Sequence, residues 1–380
     1  MRVYLDNAAT TPLDKEVLEA MLPYLTEHFG NPSSIHGHGR LVRSAIERSR
    51  KKVAELLNTS PSEIFFTSGG TEADNTALTK SIEAYGLTHA ITSKIEHHAV
   101  LHTLEYLHEQ GKIDLTYVEL DEKGHVSLDH LEAFLKDHPG KALVSLMHAN
   151  NEIGNLNDIE KIGQLAKEYQ AVFHTDTVQA VGHYRHDLQA LNLNMMVGAA
   201  HKFHGPKGVG FLHINHNCKI HPFIHGGAQE RNMRGGTENV PGIIGLGKAL
   251  ELACEHMDEH RKHMEGLKES MIRQLSANIE GITFNGDSAN LNNSLYTVLS
   301  VSLPPNEDND MLLFSLDIEG VSASGGSACS SGSNVGSHVL GALGVDPMRG
   351  NIRFSFSRFT TQQDIDFTVQ KLTELVAVRA

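Results

Sequence analysis

Ile64-Phe65-Phe66-Thr67-Ser68-Gly69-Gly70-Thr71-Glu72-Ala73 reads as a short apolar strand, a hydroxyl-and-glycine turn and the first turn of a helix. The pattern recurs along the chain. Ala90-Ile91-Thr92, Ala142-Leu143-Val144-Ser145-Leu146-Met147, Ala171-Val172-Phe173-His174 and Val209-Gly210-Phe211-Leu212 are further buried-strand candidates. Helical spacing runs from Thr71 to Tyr85 and from Ile159 to Tyr169. Such alternation between about residues 60 and 215 predicts an α/β fold with a mostly parallel sheet flanked by helices. Ligands of such sheets collect outside the carboxyl ends of the strands. The Gly69-Gly70 turn itself admits two readings. It is a phosphate-binding helix start, where glycine permits close approach and the helix end supplies N–H groups and dipole. Or it is an ordinary helix capped by Ser68 or Thr71.

Outside that region the pattern changes. Val17, Leu18, Met21 and Leu22 mark one amphipathic helix, and Leu41, Val42, Ala45, Ile46, Val53, Leu56 and Leu57 a longer one. A helical stretch rich in His, Glu and Lys from Ile243 to about Leu275 reads as a single connector. Leu295 to Val301 and Asn351 to Phe356 read as strands, and a terminal helix begins near Gln362. The expectation is a large domain over 15–245 and a smaller α+β domain built from 1–14 and 246–380.

Composition narrows the function classes. Lys plus Arg total 32 against 46 Asp plus Glu, a net charge of −14 without a basic stripe, so no nucleic-acid partner is expected. No run reaches membrane-spanning length and the first residues lack targeting character, so the expected place is the cytoplasm, away from membranes. Cys218, Cys254 and Cys329 are odd in number and form no CxxC pair. The 25 histidines are scattered and include no HExxH, so no metal site is expected.

Three features carry chemistry. Asp176, in His174-Thr175-Asp176-Thr177-Val178-Gln179, follows a strand, where a carboxylate faces a ligand. About 26 residues on, Lys202 sits in Ala199-Ala200-His201-Lys202-Phe203-His204-Gly205-Pro206-Lys207-Gly208; a partly desolvated lysine can form a Schiff base. Pyridoxal phosphate needs such a lysine, an acid for its pyridine nitrogen and a phosphate cradle. Finally, Cys329 lies in Gly325-Gly326-Ser327-Ala328-Cys329-Ser330-Ser331-Gly332-Ser333, a tether that adds nothing to a core. It is either an incidental surface thiol or one that must travel.

With these pieces in order, nearly the whole chain resembles the cysteine desulfurases of the class V pyridoxal-phosphate-dependent aminotransferase family, in the long-cysteine-loop subgroup. The resemblance rests on Tyr4 to Pro12, Phe29 to Ser34, Thr67 to Glu72, Glu96 to Val100, Asn150 to Gly154, His201 to Gly208, Arg234 to Thr237, Arg353 to Ser355 and Arg358 to Thr360. It implies the fold-type I architecture and pyridoxal 5′-phosphate. Lys202 would hold the cofactor and move protons, Asp176 the pyridine nitrogen, and Gln179 and Asn151 its phenolic edge. His97 would stack on the ring and share in proton transfer. Gly70, Thr71 and His201 would bind phosphate, with Thr237 reaching in from the second subunit of a homodimer. Arg353, helped by Asn31, would clamp the carboxylate of L-cysteine. Cys329 would take the sulfur as a persulfide, release alanine, and pass the sulfur to an acceptor or iron–sulfur scaffold protein. Cys218 and Cys254 lie outside the family motifs and read as structural or incidental.

The resemblance has two departures. The family usually has Ser where this chain has Ala199, which removes a hydroxyl from the phosphate site. Some members also carry a longer C-terminal segment for a scaffold protein, so a dedicated scaffold partner is not implied as firmly as the persulfide chemistry. The rival readings are a selenocysteine lyase or other class V aminotransferase, and a non-catalytic sulfur-assembly protein.

Overall fold

A computed structural model describes residues 1–325 and 336–379. Its strands are β1 (Val3–Tyr4), β2 (Ile64–Thr67), β3 (His89–Thr92), β4 (Asp114–Tyr117), β5 (Ala142–Ser145), β6 (Val172–Asp176), β7 (Met195–Ala199), β8 (Gly210–Ile214), β9 (Thr283–Phe284), β10 (Val298–Pro305), β11 (Val321–Ser322) and β12 (Arg349–Ser355). Its helices are α1 (Lys15–Thr26), α2 (Gly37–Leu56), α3 (Gly70–Tyr85), α4 (His98–Glu109), α5 (Leu128–Asp137), α6 (Ile159–Glu168), α7 (Val240–Glu255), α8 (Met257–Asn278), α9 (Leu312–Ile318), α10 (His338–Ala342) and α11 (Gln362–Arg379).

Seven strands form the central sheet in the order β2-β8-β7-β6-β5-β3-β4. β7, β6, β5, β3 and β4 are parallel; β8 runs against both its neighbours, β2 and β7. β2 therefore points the same way as the five parallel strands. The mostly parallel α/β sheet expected from the sequence is the one observed. Every position of β5, β6, β7 and β8 is buried, as a sheet covered on both faces requires. Alternation sorts the side chains. Val144, Phe173, Met196 and Phe211 face a core shared with α2 and α7. Leu143, Val172, Met195, Val197 and Leu212 face α3 and α4.

A second core lies around the antiparallel sheet β12-β10-β9. Leu5, Leu299, Val301, Ile352 and Phe354 pack there against Leu267 and Met271 of α8 and Ile365 and Val369 of α11. The expected single connector from Ile243 to Leu275 is two helices, broken at His256. No Gly or Pro marks the break. It falls where the chain leaves one core for the other: Leu246, Leu250 and Ala253 of α7 belong to the first, Met264 and Leu275 of α8 to the second. We propose His256 as the division between the two units, rather than 245. β10 begins at Val298, later than expected, because Leu295 is drawn into a turn by its N–H bond to the Gly154 carbonyl (2.7 Å). Among the described residues no helix is long and apolar enough to cross a membrane.

Burial keeps many histidines neutral. His148 and His174 are pushed to about 3, and His97, His183, His186, His201, His204, His213 and His260 to about 4. Between about pH 6.5 and 4 the unfolded chain holds protons on these nine that the native state refuses, so stability falls as pH falls through that window. Asp74, Glu96, Glu152 and Asp176 are raised by burial and act with the opposite sign. Nine against four leaves a net loss on acidification. The urea midpoint of the cofactor-free protein is expected to fall between pH 6.5 and 4.5; a flat or rising midpoint contradicts this.

Candidate active site

The parallel strands end on one side of the sheet, and a cleft of about 250 Å³ lies there. Gly70, Thr71, His97, Asn151, Asp176, Gln179, Ala199, His201, Lys202 and Arg353 line it. These residues come from six segments spread over most of the chain.

α3 supplies one end. Its N-cap is Gly69, and no side chain caps it, whereas Ser127, Asp158 and Asn239 cap α5, α6 and α7. The reading with Ser68 or Thr71 as cap is therefore not what is observed. The uncapped N–H groups and helix dipole suit an anion. A Cβ on Gly70 would come within 2.9 Å of Val178 Cγ2, so a side chain there would crowd the cleft.

β6 ends in Asp176. Its Oδ1 accepts the Val178 N–H (2.8 Å). Burial raises its carboxyl to about 6, opposed by that N–H and by the charge on Lys202. A cationic ring nitrogen would restore it to a carboxylate. β7 leads through His201 to Lys202, whose Nζ donates to the carbonyls of Ala8 and, at 2.9 Å, Ala9. Gln179 Nε2 donates to the Ala8 carbonyl as well (3.0 Å). His97 is the N-cap of α4 and accepts the Ala99 N–H on Nδ1 (3.1 Å), which fixes its ring. Burial, then Lys202, lowers His97 to about 4; the same two causes, joined by Lys207, act on His201. Both are neutral imidazoles at pH 7.

Arg353 closes the other end. It is almost fully buried, and donates from Nη1 to the Asn151 carbonyl (2.8 Å) and from Nη2 to Asp6 Oδ1 (3.0 Å). Its Nε has no partner. The guanidinium is thus oriented with a donor to spare. An uncapped helix end, a buried acid, a lysine and an arginine in one cleft fit a cofactor with phosphate, basic ring nitrogen and aldehyde, and a carboxylate substrate.

Two expected residues lie elsewhere in the single chain. Thr237 lines a separate cleft with Ser68 and Arg234, and Arg234 pairs with Glu72 of α3 (3.0 Å). Asn31 is exposed, its Oδ1 holding the Ser33 N–H (2.9 Å). Cys329 lies outside the described residues. Sequence reasoning passed over Asp6, which holds Arg353, and Asp74, which lines the cleft. Their positions inside the quoted motifs Tyr4 to Pro12 and just after Thr67 to Glu72 were the available signal.

The chain matches the family described as aminotransferase class V over residues 3–367. It is 46% identical to the cysteine desulfurase IscS of Dictyoglomus turgidum, with 98% of this chain and 94% of that protein covered. It is also 46% identical to the cysteine desulfurase IscS of Methanosarcina thermophila, covering 98% and 92%. A solved NifS-like protein superposes with a TM-score of 0.91 at 38% identity over all of both chains. SspA in complex with cysteine superposes at 0.80 and 33% identity, over 94% of this chain and 100% of that one. The chain belongs to the class V aminotransferase family. Within that family it belongs with the cysteine desulfurases.

Ala199 is buried beside the α3 terminus, 3.8 Å from where a Cβ on Gly70 would stand. A hydroxyl there would add a charge-assisted hydrogen bond to phosphate. Ala199→Ser is expected to lower the pyridoxal phosphate dissociation constant by about tenfold. Equal constants in an equilibrium titration of the two apoproteins would refute this.

Proposed function

We propose that this cleft binds pyridoxal 5′-phosphate and removes the sulfur of L-cysteine, leaving L-alanine and a persulfide on Cys329. The observation that carries the reading is the common cleft of Lys202, Asp176, His97 and Arg353. When bound, the cofactor would supply an electron sink for carbanion chemistry. The free N–H groups at Gly70 and Thr71, with His201, would hold its phosphate. Asp176 would pair with its ring nitrogen, and Gln179 and Asn151 would face its phenolic edge. Lys202, which now donates to the Ala8 and Ala9 carbonyls, would hold the cofactor aldehyde and carry protons. A neutral His97 can stack on the ring and accept a proton, which an imidazolium cannot do.

Arg353 would bind the substrate carboxylate through the Nη hydrogens that its present partners leave over. Asp6 and the Asn151 carbonyl keep the fork aimed, so little side-chain freedom is lost on binding. Cys329 Sγ then attacks the substrate sulfur. An S–S bond forms as the Cβ–S bond breaks, and carbon keeps the electron pair and is protonated. Thiol plus cysteine becomes persulfide plus alanine, with no outside oxidant. Transfer to an acceptor protein, such as an iron–sulfur assembly scaffold, would follow. We read the chain as a homodimer in which Thr237 of each subunit completes the other's phosphate site. Within its own chain Thr237 lines a cleft separate from the one that holds Lys202, which supports that reading.

L-cysteine added to the loaded enzyme should yield equal alanine and protein-bound persulfide in a single turnover. Cys329→Ser should keep the cofactor and lose the persulfide; sulfide release at the full rate would favour a lyase instead. Arg353→Lys should raise KM for L-cysteine by at least about tenfold, since one bidentate contact is lost, with cofactor affinity unchanged.

A further inference from the structure

His174 and Asp176 lie two apart on β6 and so share one face of the sheet, the face covered by α3. Asp74 of α3, one turn past Gly70, reaches down to that face. Its Oδ1 stands 3.3 Å from His174 Nε2. Asp74 is 1% exposed and His174 0%, and neither of these two facing atoms has a hydrogen-bond partner. The other ring nitrogen, His174 Nδ1, lies 2.9 Å from Ser145 Oγ on β5. Asp74, His174 and Ser145 thus form a buried chain across α3, β6 and β5, beside the acid that would hold the cofactor ring.

The charge on this chain can be argued from its surroundings. Asp74 faces two further buried carboxyls, Asp176 on β6 and Glu96 after β3, and among the described residues no Lys or Arg pairs with it. No backbone N–H reaches its Oδ1. A second carboxylate here would be desolvated and repelled by its neighbours, whereas a neutral acid needs only one acceptor. A neutral His174 offers that acceptor at Nε2 and keeps its own proton on Nδ1 for Ser145.

We propose that Asp74 is a positioning residue held as a neutral carboxylic acid, donating to His174 Nε2, so that the phosphate end of α3 is bolted to the strand that carries Asp176. The site then keeps one carboxylate, Asp176, for the ring nitrogen. This rests on the pyridoxal phosphate reading above.

Asp74→Asn keeps a donor and stays neutral; Asp74→Ala removes the bond. Titrating each apoprotein with pyridoxal phosphate, Asp74→Asn should stay within about threefold of the parent and Asp74→Ala should bind at least about tenfold more weakly. The infrared difference spectrum of parent minus Asp74→Asn at pH 7 should show a protonated carboxyl C=O band. A carboxylate band in its place, or an Asn variant as weak as the Ala variant, overturns the proposal. The infrared result needs no cofactor, so it decides the matter even where the Ala variant does not fold. A parent protein that fails to bind pyridoxal phosphate would sink the cofactor reading alone, leaving that band to judge Asp74.

Discussion

Lys202 holds the carbonyls of Ala8 and Ala9, and that grip joins two units that have separate cores. The segment from Leu5 to Thr11 is bonded on one side to the smaller unit. Leu5 donates to Ser322 and accepts from Ser355, and Ala8 N–H meets Ser355 Oγ. On the other side it meets the large unit, through Gln179 to Ala8 and Thr11 to His201. Buried backbone groups must be paired, so a short extended segment can tie two surfaces firmly. The consequence reaches the chemistry. Gln179 donates to the same Ala8 carbonyl, so the tie does not depend on the Lys202 ammonium alone.

The cleft gathers charges of both signs. The α3 terminus offers partial positive charge, Arg353 a full one, and Asp176 a buried acid. Burial disfavours the charged form of the imidazoles of His97 and His201 and of the carboxyls of Asp74 and Glu96. A low-dielectric pocket tolerates few unpaired ions, so those that remain mark where a ligand must complete the pairing. A molecule with an anion at each end and a basic nitrogen between would meet each of them once.

The sheet was legible because β2, β3, β5, β6 and β8 are continuous apolar runs with breakers on both sides. β7 was not read, although it delivers Lys202. Its Met-Met-Val-Gly-Ala sequence has weak strand propensity, and Gly198 is there because the Phe211 ring stacks where a Cβ would be, 2.3 Å away. The break at His256 was invisible for the opposite reason. Both flanking helices are amphipathic, and only their choice of different cores bends the chain. Most of the site residues were named from the motifs, because glycine, lysine and acid spacing follows local geometry. Asp6 and Asp74 escaped because their roles arise from partners 347 and 100 positions away, Arg353 and His174.

The described residues on either side of Cys329 are tied to the cleft itself. Ser324 exchanges backbone hydrogen bonds with Arg353, and Arg353 N–H reaches the Ser324 carbonyl at 2.7 Å. Ser337 donates to Glu152, next to Asn151, and His338 bonds the Glu96 carbonyl, next to His97. The described residues that enter and leave the 326–335 segment are therefore each anchored to backbone or side chains beside residues that line the cleft, Arg353, Asn151 and His97.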